Sequence, residues 1–423
     1  MRNLNCEVAI FGGGPAGIAA AVTAVQAGIK TVLVDDGLAP GGQIWRGASA
    51  TSSGAAGRWL RALSAVPVDI RTRTRVVAHP EPGTVMLESP EGPLCLHYQR
   101  AVICPGAREL FLPFPGWTLP GVSGAGGLQA LVKSGLPIAG KRVVVAGSGP
   151  LLLVVARSLA KAGARIELLA EQASANQMRQ FAFGLWRYPG KVCQALMLAP
   201  QALSVRSDSW VLRTEGRDKL EQVVVNRNGQ TKTISCDYLA CGFGLIPNIE
   251  LPALFGCKID QDRVVVNESL QTSQPSILCA GEVIGIGGVD AAIIEGRIAG
   301  HGVAHQLDKA TALMPQRLAI RAFAAHLERS FGLRSELKAL ATPKVLLCRC
   351  EDVTTESVAA CFSWTEARLL TRCGMGACQG RVCGSAARFL YGWSSTTARP
   401  PFQPTSLHHL RLPDKNVDSQ NIK

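Results

Sequence analysis

The segment Val8–Asp36 constrains the fold of this chain more than any other. A short apolar run, Val8–Phe11, suits a strand buried on both faces of a parallel sheet. It breaks at Gly12-Gly13-Gly14-Pro15-Ala16-Gly17, a G-x-G-x-x-G pattern with its glycines at 12, 14 and 17. Ala-rich sequence of helical propensity follows, Gly28 ends it, and Thr31–Val34 supplies the next strand. In such a unit the glycines permit a tight turn, close approach of backbone to a pyrophosphate, and close helix–strand packing. Pro15 and Ala16 open the helix, whose free N–H groups and dipole favour an anion. Asp35 stands 18 residues after Gly17, with Asp36 beside it, where a carboxylate can hold ribose hydroxyls. Strand, helix, strand and acid in this order predict a dinucleotide site and not merely a Gly-rich turn.

A chain of 423 residues is long enough for two or three domains, each with its own core. Hydrophobic content of 47% with 18% charged residues describes a soluble globular protein. The net charge of +13 comes from scattered Lys and Arg, with no dense basic block and only 5% aromatic residues. Nucleic acid is therefore not an expected partner, and the charge reads as solvated surface or a face for an acidic protein. No apolar run of 18 or more free of glycine and charge is present, so no membrane span is expected. The chain enters its first strand by about Cys6, which leaves no room for a signal peptide. Fourteen cysteines then point to a reducing cytoplasm, with metal or redox roles ahead of disulfides.

After Asp36 comes Pro40-Gly41-Gly42-Gln43, where backbone can lie flat against a ligand and Gln43 offers an amide to a flavin ring edge. Alternating short pieces over 68–95 predict a small antiparallel sheet, and 101–103 ends a strand at Pro105-Gly106. A second β-α-β unit begins with a strand at Arg142–Ala146, followed by Gly147-Ser148-Gly149-Pro150-Leu151-Leu152. It keeps the first two glycines, at 147 and 149, and carries Leu152 in place of the third, which should loosen or shift helix–strand packing. Glu171, past the strand expected at Arg165–Leu169, is the corresponding ribose acid. Two readings stay open here: a working nicotinamide or adenine nucleotide site, and a retained shell that binds nothing. An acid at this position favours NAD over NADP. Cys236 and Cys241 read as core thiols. His301 and His305 have a metal-binding spacing, but without a third ligand beside them they read as a solvated helix face.

Composition changes again after Pro343. Cys348-Arg349-Cys350 leads into an expected helix over Thr355–Phe362 that carries Cys361, and Cys373, Cys378 and Cys383 follow among glycines. Six cysteines within 36 residues make a soft thiolate site, for zinc or iron–sulfur. Cys348 and Cys350 supply one pair, C-x-C. Cys378 and Cys383 supply the other, C-x4-C, with Gly380 letting the loop wrap a cluster, while Cys361 and Cys373 read as packed thiols.

The two glycine turns, taken with Thr272, Pro275-Ser276-Ile277-Leu278-Cys279-Ala280 and Gly281-Glu282, resemble the flavoproteins with two dinucleotide-binding domains, akin to thioredoxin and glutathione reductases. That family usually ends the last motif Gly-Asp, the aspartate holding the flavin ribityl chain, where this chain has Glu282. Its redox-active Cys-x-x-Cys is absent. The cysteine pattern resembles the helical [2Fe–2S] domain of bacterioferritin-associated-ferredoxin type, with C-x4-C instead of C-x2-C at the second pair. Over nearly its whole length the chain is similar to the α subunits of heteromeric amino-acid and imino-acid dehydrogenases of the D-hydroxyproline dehydrogenase, opine oxidase and hydrogen cyanide synthase kind, and more distantly to heterotetrameric sarcosine oxidase. Further shared stretches are Gly106–Glu109, Leu112-Pro113, Pro115–Trp117, Glu295–Arg297 and Arg399–Pro401.

The resemblance implies an α/β fold of two Rossmann-like dinucleotide-binding domains plus a small α-helical [2Fe–2S] domain. The expected division is 1–118 with 241–305 for FAD, 119–240 for an NAD-type nucleotide, 306–344 as a helical linker, 345–393 for the cluster and 394–423 as an extended tail. It leaves FAD, NAD or another adenine nucleotide open for the first site, where Gln43 and the Thr272–Glu282 stretch favour FAD, leaves NAD or another adenine nucleotide for the second, and allows FMN at a subunit interface. Partners would be an FAD-dependent subunit of D-amino-acid-oxidase type and a small ferredoxin-like subunit. The implied role is electron relay. A self-sufficient NADH-dependent reductase and a non-catalytic nucleotide-binding scaffold are the alternatives.

Overall fold

The computed structural model describes residues 2–394 and 400–410; residues 395–399 and 411–423 of the expected tail, Arg399 among them, lie outside the described residues. The chain packs into two compact units, 2–107 with 247–321 and 400–410, and 108–246 with 322–394. The changeovers thus fall at 107/108 and 246/247, against the 118/119 and 240/241 expected from the sequence.

The first unit is built on a parallel core of three strands. Arg2–Phe11 lies between Thr31–Val34 and Gly92–Ile103, in register Ala9 to Val32 and Ala9 to Ala101. Val8, Ala9, Ile10 and Phe11 are at most 1% exposed, as a strand covered on both faces requires. The far side of Gly92–Ile103 is shared. Its first half pairs antiparallel with Thr84–Ser89, and its end pairs parallel with Ile277–Cys279, which brings Gly281 to the carboxyl edge. The helices Pro15–Gln26 and Gly288–Val303 pack together, and both show small residues at the contact: Ala16 and Ala20 on one, Gly296 and Gly300 on the other. The described part of the tail adds to this unit, with Phe402 N–H donating to Val77 O at 2.8 Å.

The second unit has a five-stranded parallel sheet in the order Val205–Arg206, Arg165–Glu171, Arg142–Gly147, Tyr238–Gly242, Val122–Gly124, and a three-stranded antiparallel sheet over 209–235. Three helices over 175–204, beginning on a capping box of Ser174 with Gln177, were not expected. The cysteine region has an apolar core of its own around Val358, Trp364 and Ala367. Its expected helix Thr355–Phe362 is shorter. It stops at Val358, and a second helix, Trp364–Thr371, starts on Ser363, whose Oγ accepts from Glu366 N–H at 3.1 Å. Such a cap is worth about 1 kcal/mol and decides where the turn is placed. Cys361 therefore lies between helices, buried at 8% exposure. Similarly, Gly288–Val303 ends before His305, which has φ of 57° and is not on the helix. Among the described residues no helix is long and apolar enough to cross a membrane.

Candidate functional site

The first glycine turn has the geometry its sequence predicts. The helix opens with Gly14 as its cap and Pro15 at its first position, and Ile18 N–H closes onto Gly14 O at 2.9 Å. A methyl on Gly17 would sit 1.8 Å from Gly12 O, so only glycine lets the helix press against the strand end. Over Gly14 no described protein atom lies within 4 Å of where a methyl would be. Asp35 turns back onto the turn, accepting from Gly13 N–H and, at 2.8 Å, from Gly37 N–H. Burial raises its pKa against those two bonds. Asp36 beside it is exposed.

Five further predicted positions belong to the same unit. Gly41 N–H donates to Gly13 O at 2.7 Å, setting Gly42 beside Gly14. Gln43 is exposed and its Oε1 accepts from Arg46 Nε and Nη2 at 3.1 and 2.9 Å. Gly106 O accepts from Asn248 N–H at 3.1 Å. Gly281 N–H donates to Glu295 Oε2 at 3.1 Å, and Glu282 caps the following helix through Gly288 N–H at 2.8 Å and Gly287 N–H at 3.3 Å. Burial raises the Glu282 pKa. Glu295 is fully buried, and Arg317 and Arg321 neutralise it at 3.2 and 2.7 Å. Arg321 also reaches Gly285 O at 2.7 Å, so this buried pair fixes the shape of the Gly281–Gly285 turn. In the sequence Glu295 stands out only as part of a shared stretch; its two arginines come from the expected linker.

The second turn differs at its third glycine position and at the start of its helix. Leu152 is 2% exposed, and its Cδ2 lies 2.8 Å from where a methyl on Gly242 would be. Its helix starts one position later, with Pro150 as cap and Leu152 N–H closing onto Gly149 O at 3.1 Å. Gly147 ends the strand, and Gly149 N–H donates to Glu171 Oε2 at 2.6 Å while Ala173 N–H donates to Oε1 at 2.8 Å. Glu171 ends its strand and is only 3% exposed, and burial pushes its pKa up to about 7.

Five of the six C-terminal cysteines converge. The sulfurs of Cys348, Cys373 and Cys383 lie within 4.8 Å of one another. Cys350 Sγ is 3.8 Å from Cys378 Sγ, and Cys378 is hydrogen-bonded to Cys383. That bond, with the N–H groups of Val382 and Gly380, draws the Cys378 thiol down to about 4 against its burial. Gly374 N–H points at Cys348 Sγ, 3.5 Å away. Soft sulfurs at this spacing, met by backbone N–H groups, suit a thiolate-bound metal or iron–sulfur group. The expectation set Cys373 beside the site. The structure brings it among the sulfurs, because Arg372, at φ of 64°, ends the preceding helix and turns the chain inward. Cys236 and Cys241 are fully buried, as core thiols should be, and burial raises both pKa values.

Residues 6–306 match the model of the pyridine nucleotide-disulphide oxidoreductase family. The A-type subunit of opine oxidase from Rhizobium meliloti (strain 1021) is 30% identical over 464 aligned positions, covering 95% of this chain and 97% of that one. The HcnB subunit of hydrogen cyanide synthase from Pseudomonas aeruginosa is 30% identical, covering 90% and 91%. Among solved structures, L-proline dehydrogenase from P. horikoshii superposes with a TM-score of 0.72 at 19% identity, covering 97% of this chain and 80% of that one, a likeness of fold. The chain belongs to the pyridine nucleotide-disulphide oxidoreductase family of flavoprotein-like oxidoreductases, in company with the A-type opine oxidase and HcnB subunits.

Proposed function

We propose that this chain is the electron-transfer subunit of a heteromeric, cytoplasmic complex that oxidises the C–N bond of a small amino or imino acid of D-hydroxyproline or opine type. The observation that carries the reading is the convergence of cysteine sulfurs on one centre, in a chain that also has a glycine turn clear above Gly14. Relatives named as oxidase and synthase subunits support the partner arrangement. Bound here, FAD would accept electrons in pairs and release them one at a time, and a [2Fe–2S] cluster would carry them singly.

The chain's own residues have distinct tasks. Gly12, Gly14, Pro15, Ala16 and Gly17 receive the FAD pyrophosphate, and Asp35 and Asp36 the adenosine ribose. Gly42, Gln43 and Gly106 line the isoalloxazine side, with Gly281 and Glu282 toward the ribityl chain. Cys348, Cys350, Cys378 and Cys383 are the cluster ligands. Their sulfurs form a series, 348 to 383, 383 to 378, 378 to 350; Cys373, whose sulfur lies within 4.8 Å of those of Cys348 and Cys383, is proposed as a neighbouring thiol and not a fifth ligand. The amino-acid pocket belongs to an FAD-dependent subunit of D-amino-acid-oxidase type, with a small ferredoxin-like subunit and an interfacial FMN as further parts of the relay.

Anaerobic purification with iron, sulfide and visible absorbance measured for a serine series tests this. Cys378→Ser and Cys383→Ser should lose most iron and the visible bands, because thiolate ligation sets retention. Cys373→Ser should keep its iron, the sharpest contrast in the set. Zinc without sulfide in the wild type would remove the relay role. The isolated chain should not turn over proline-like or opine-like substrates with an artificial acceptor, and robust turnover would remove the need for a partner.

A further inference from the structure

We propose that the second glycine turn is filled by this chain's own residues Phe331–Arg334, and that Phe331 is the residue that bars an adenine dinucleotide from it. In a turn of this kind the second glycine is where backbone must meet the pyrophosphate. A methyl on Gly149 would lie 3.7 Å from both Cβ and Cγ of Phe331, so the side chain already covers that approach. The ring is wedged in place by Phe181, edge to face at 4.9 Å between centroids.

Polar contacts hold the segment down on both sides of the turn. Ser148, inside the turn, donates its hydroxyl to Phe331 O at 2.8 Å. Gln172, just past the ribose acid, donates to Gly332 O at 3.0 Å and accepts from Arg334 N–H at 3.0 Å. The Arg334 guanidinium stacks over Trp210 at 3.9 Å. Leu337, 1% exposed, roots the segment in the core that also contains Val144, Ala146 and Leu168 of the sheet. Leu152 N–H is turned back to Gly149 O at 3.1 Å. A nucleotide must therefore displace the whole anchored segment before it reaches the turn.

The consequence is that neither NADH nor NADPH delivers electrons to this chain by way of the second turn. The inference stands on the geometry of the second turn alone and does not depend on FAD or the cluster.

Equilibrium dialysis of the full, flavin-loaded chain against ADP, NAD and NADH tests it, with hydrogen exchange over 147–152 and 331–334 locating any ligand. The wild type should show no saturable binding below millimolar ligand. Phe331→Ala, and separately Gln172→Ala, which frees Gly332 and Arg334, should each bind ADP at least ~10-fold tighter, about 1.4 kcal/mol, with protection at 147–152. Micromolar binding by the wild type with protection at 147–152 overturns the proposal. So does a folded variant that binds no tighter than wild type. If Phe331→Ala does not fold, the Gln172→Ala and wild-type results decide alone.

Discussion

The turns at Gly12–Gly17 and Gly147–Leu152 are the same device built twice, and of the three positions at which they differ the decisive one is the third glycine, replaced by Leu152. Each follows a central parallel strand, carries proline at the same place and leads into a helix. In the first, the helix supplies the small residue: Gly17 touches the strand end at Gly12 O. In the second, the helix supplies Leu152 and the neighbouring strand supplies the small residue, Gly242, against which Leu152 lies. The requirement for close packing has moved across the interface without being lost. What did not survive the exchange is the phosphate-facing geometry. The helix starts one position late, the acid Glu171 is buried where Asp35 is only partly so, and Phe331 lies over Gly149 where no described atom covers Gly14. Fold and ligand site are separable, because packing needs only that one of two facing residues be small.

The largest expected effect follows from restoring a side chain to the first turn. Gly17→Ala forces a methyl toward Gly12 O, a backbone atom that cannot yield without opening the turn. The variant should lose its flavin on gel filtration, read from absorbance. Full flavin retention would show that this turn is not the nucleotide site. The second turn should respond quite differently. Leu152→Ala should cost about 3 kcal/mol in urea unfolding, as removal of a buried leucine does, and keep the flavin. Gly242→Ala should cost about 1–3 kcal/mol through overpacking. Because the two residues face one another, the double variant should be less destabilised than the two singles together, by about 1 kcal/mol or more. Strict additivity would mean the glycine has not changed sides.

The difference between the turns also explains what could be read from the sequence. The first turn was legible because strand, turn, helix and acid are all local, within Val8–Asp36. The Leu152 substitution was visible too, but its compensation by Gly242 was not, since nothing local in sequence pairs those residues. Phe331 was hidden more deeply. It lies 183 positions from its partner Ser148, in a stretch that reads as charged linker. The cysteine centre was legible from clustering, whereas the placement of Cys373 hangs on one left-handed residue, Arg372. The helix break at Ser363, which was not expected, does have a local signal: Ser363-Trp364-Thr365-Glu366 has the S-x-x-E form of a capping box.

A further contrast separates the two acids by pH. Glu171 is buried, and burial lifts its carboxyl from an ordinary 4.5 to about 7 in the folded chain. The folded state therefore holds this proton more tightly than the unfolded state does. The stability it contributes is fully present below the unfolded value and is lost as pH rises through about 7, a change of up to about 3 kcal/mol. Glu171→Gln cannot titrate, so its urea stability should gain on the wild type between pH 5 and pH 8 by up to about 3 kcal/mol and then level off. Asp35 is also raised by burial, but Gly13 and Gly37 N–H groups oppose the rise and its side chain is only partly covered. Asp35→Asn should therefore show the same sign with a smaller gain, and should weaken flavin retention, which Glu171→Gln should leave intact. A gap between Glu171→Gln and wild type that does not change with pH would mean that burial does not raise this carboxyl.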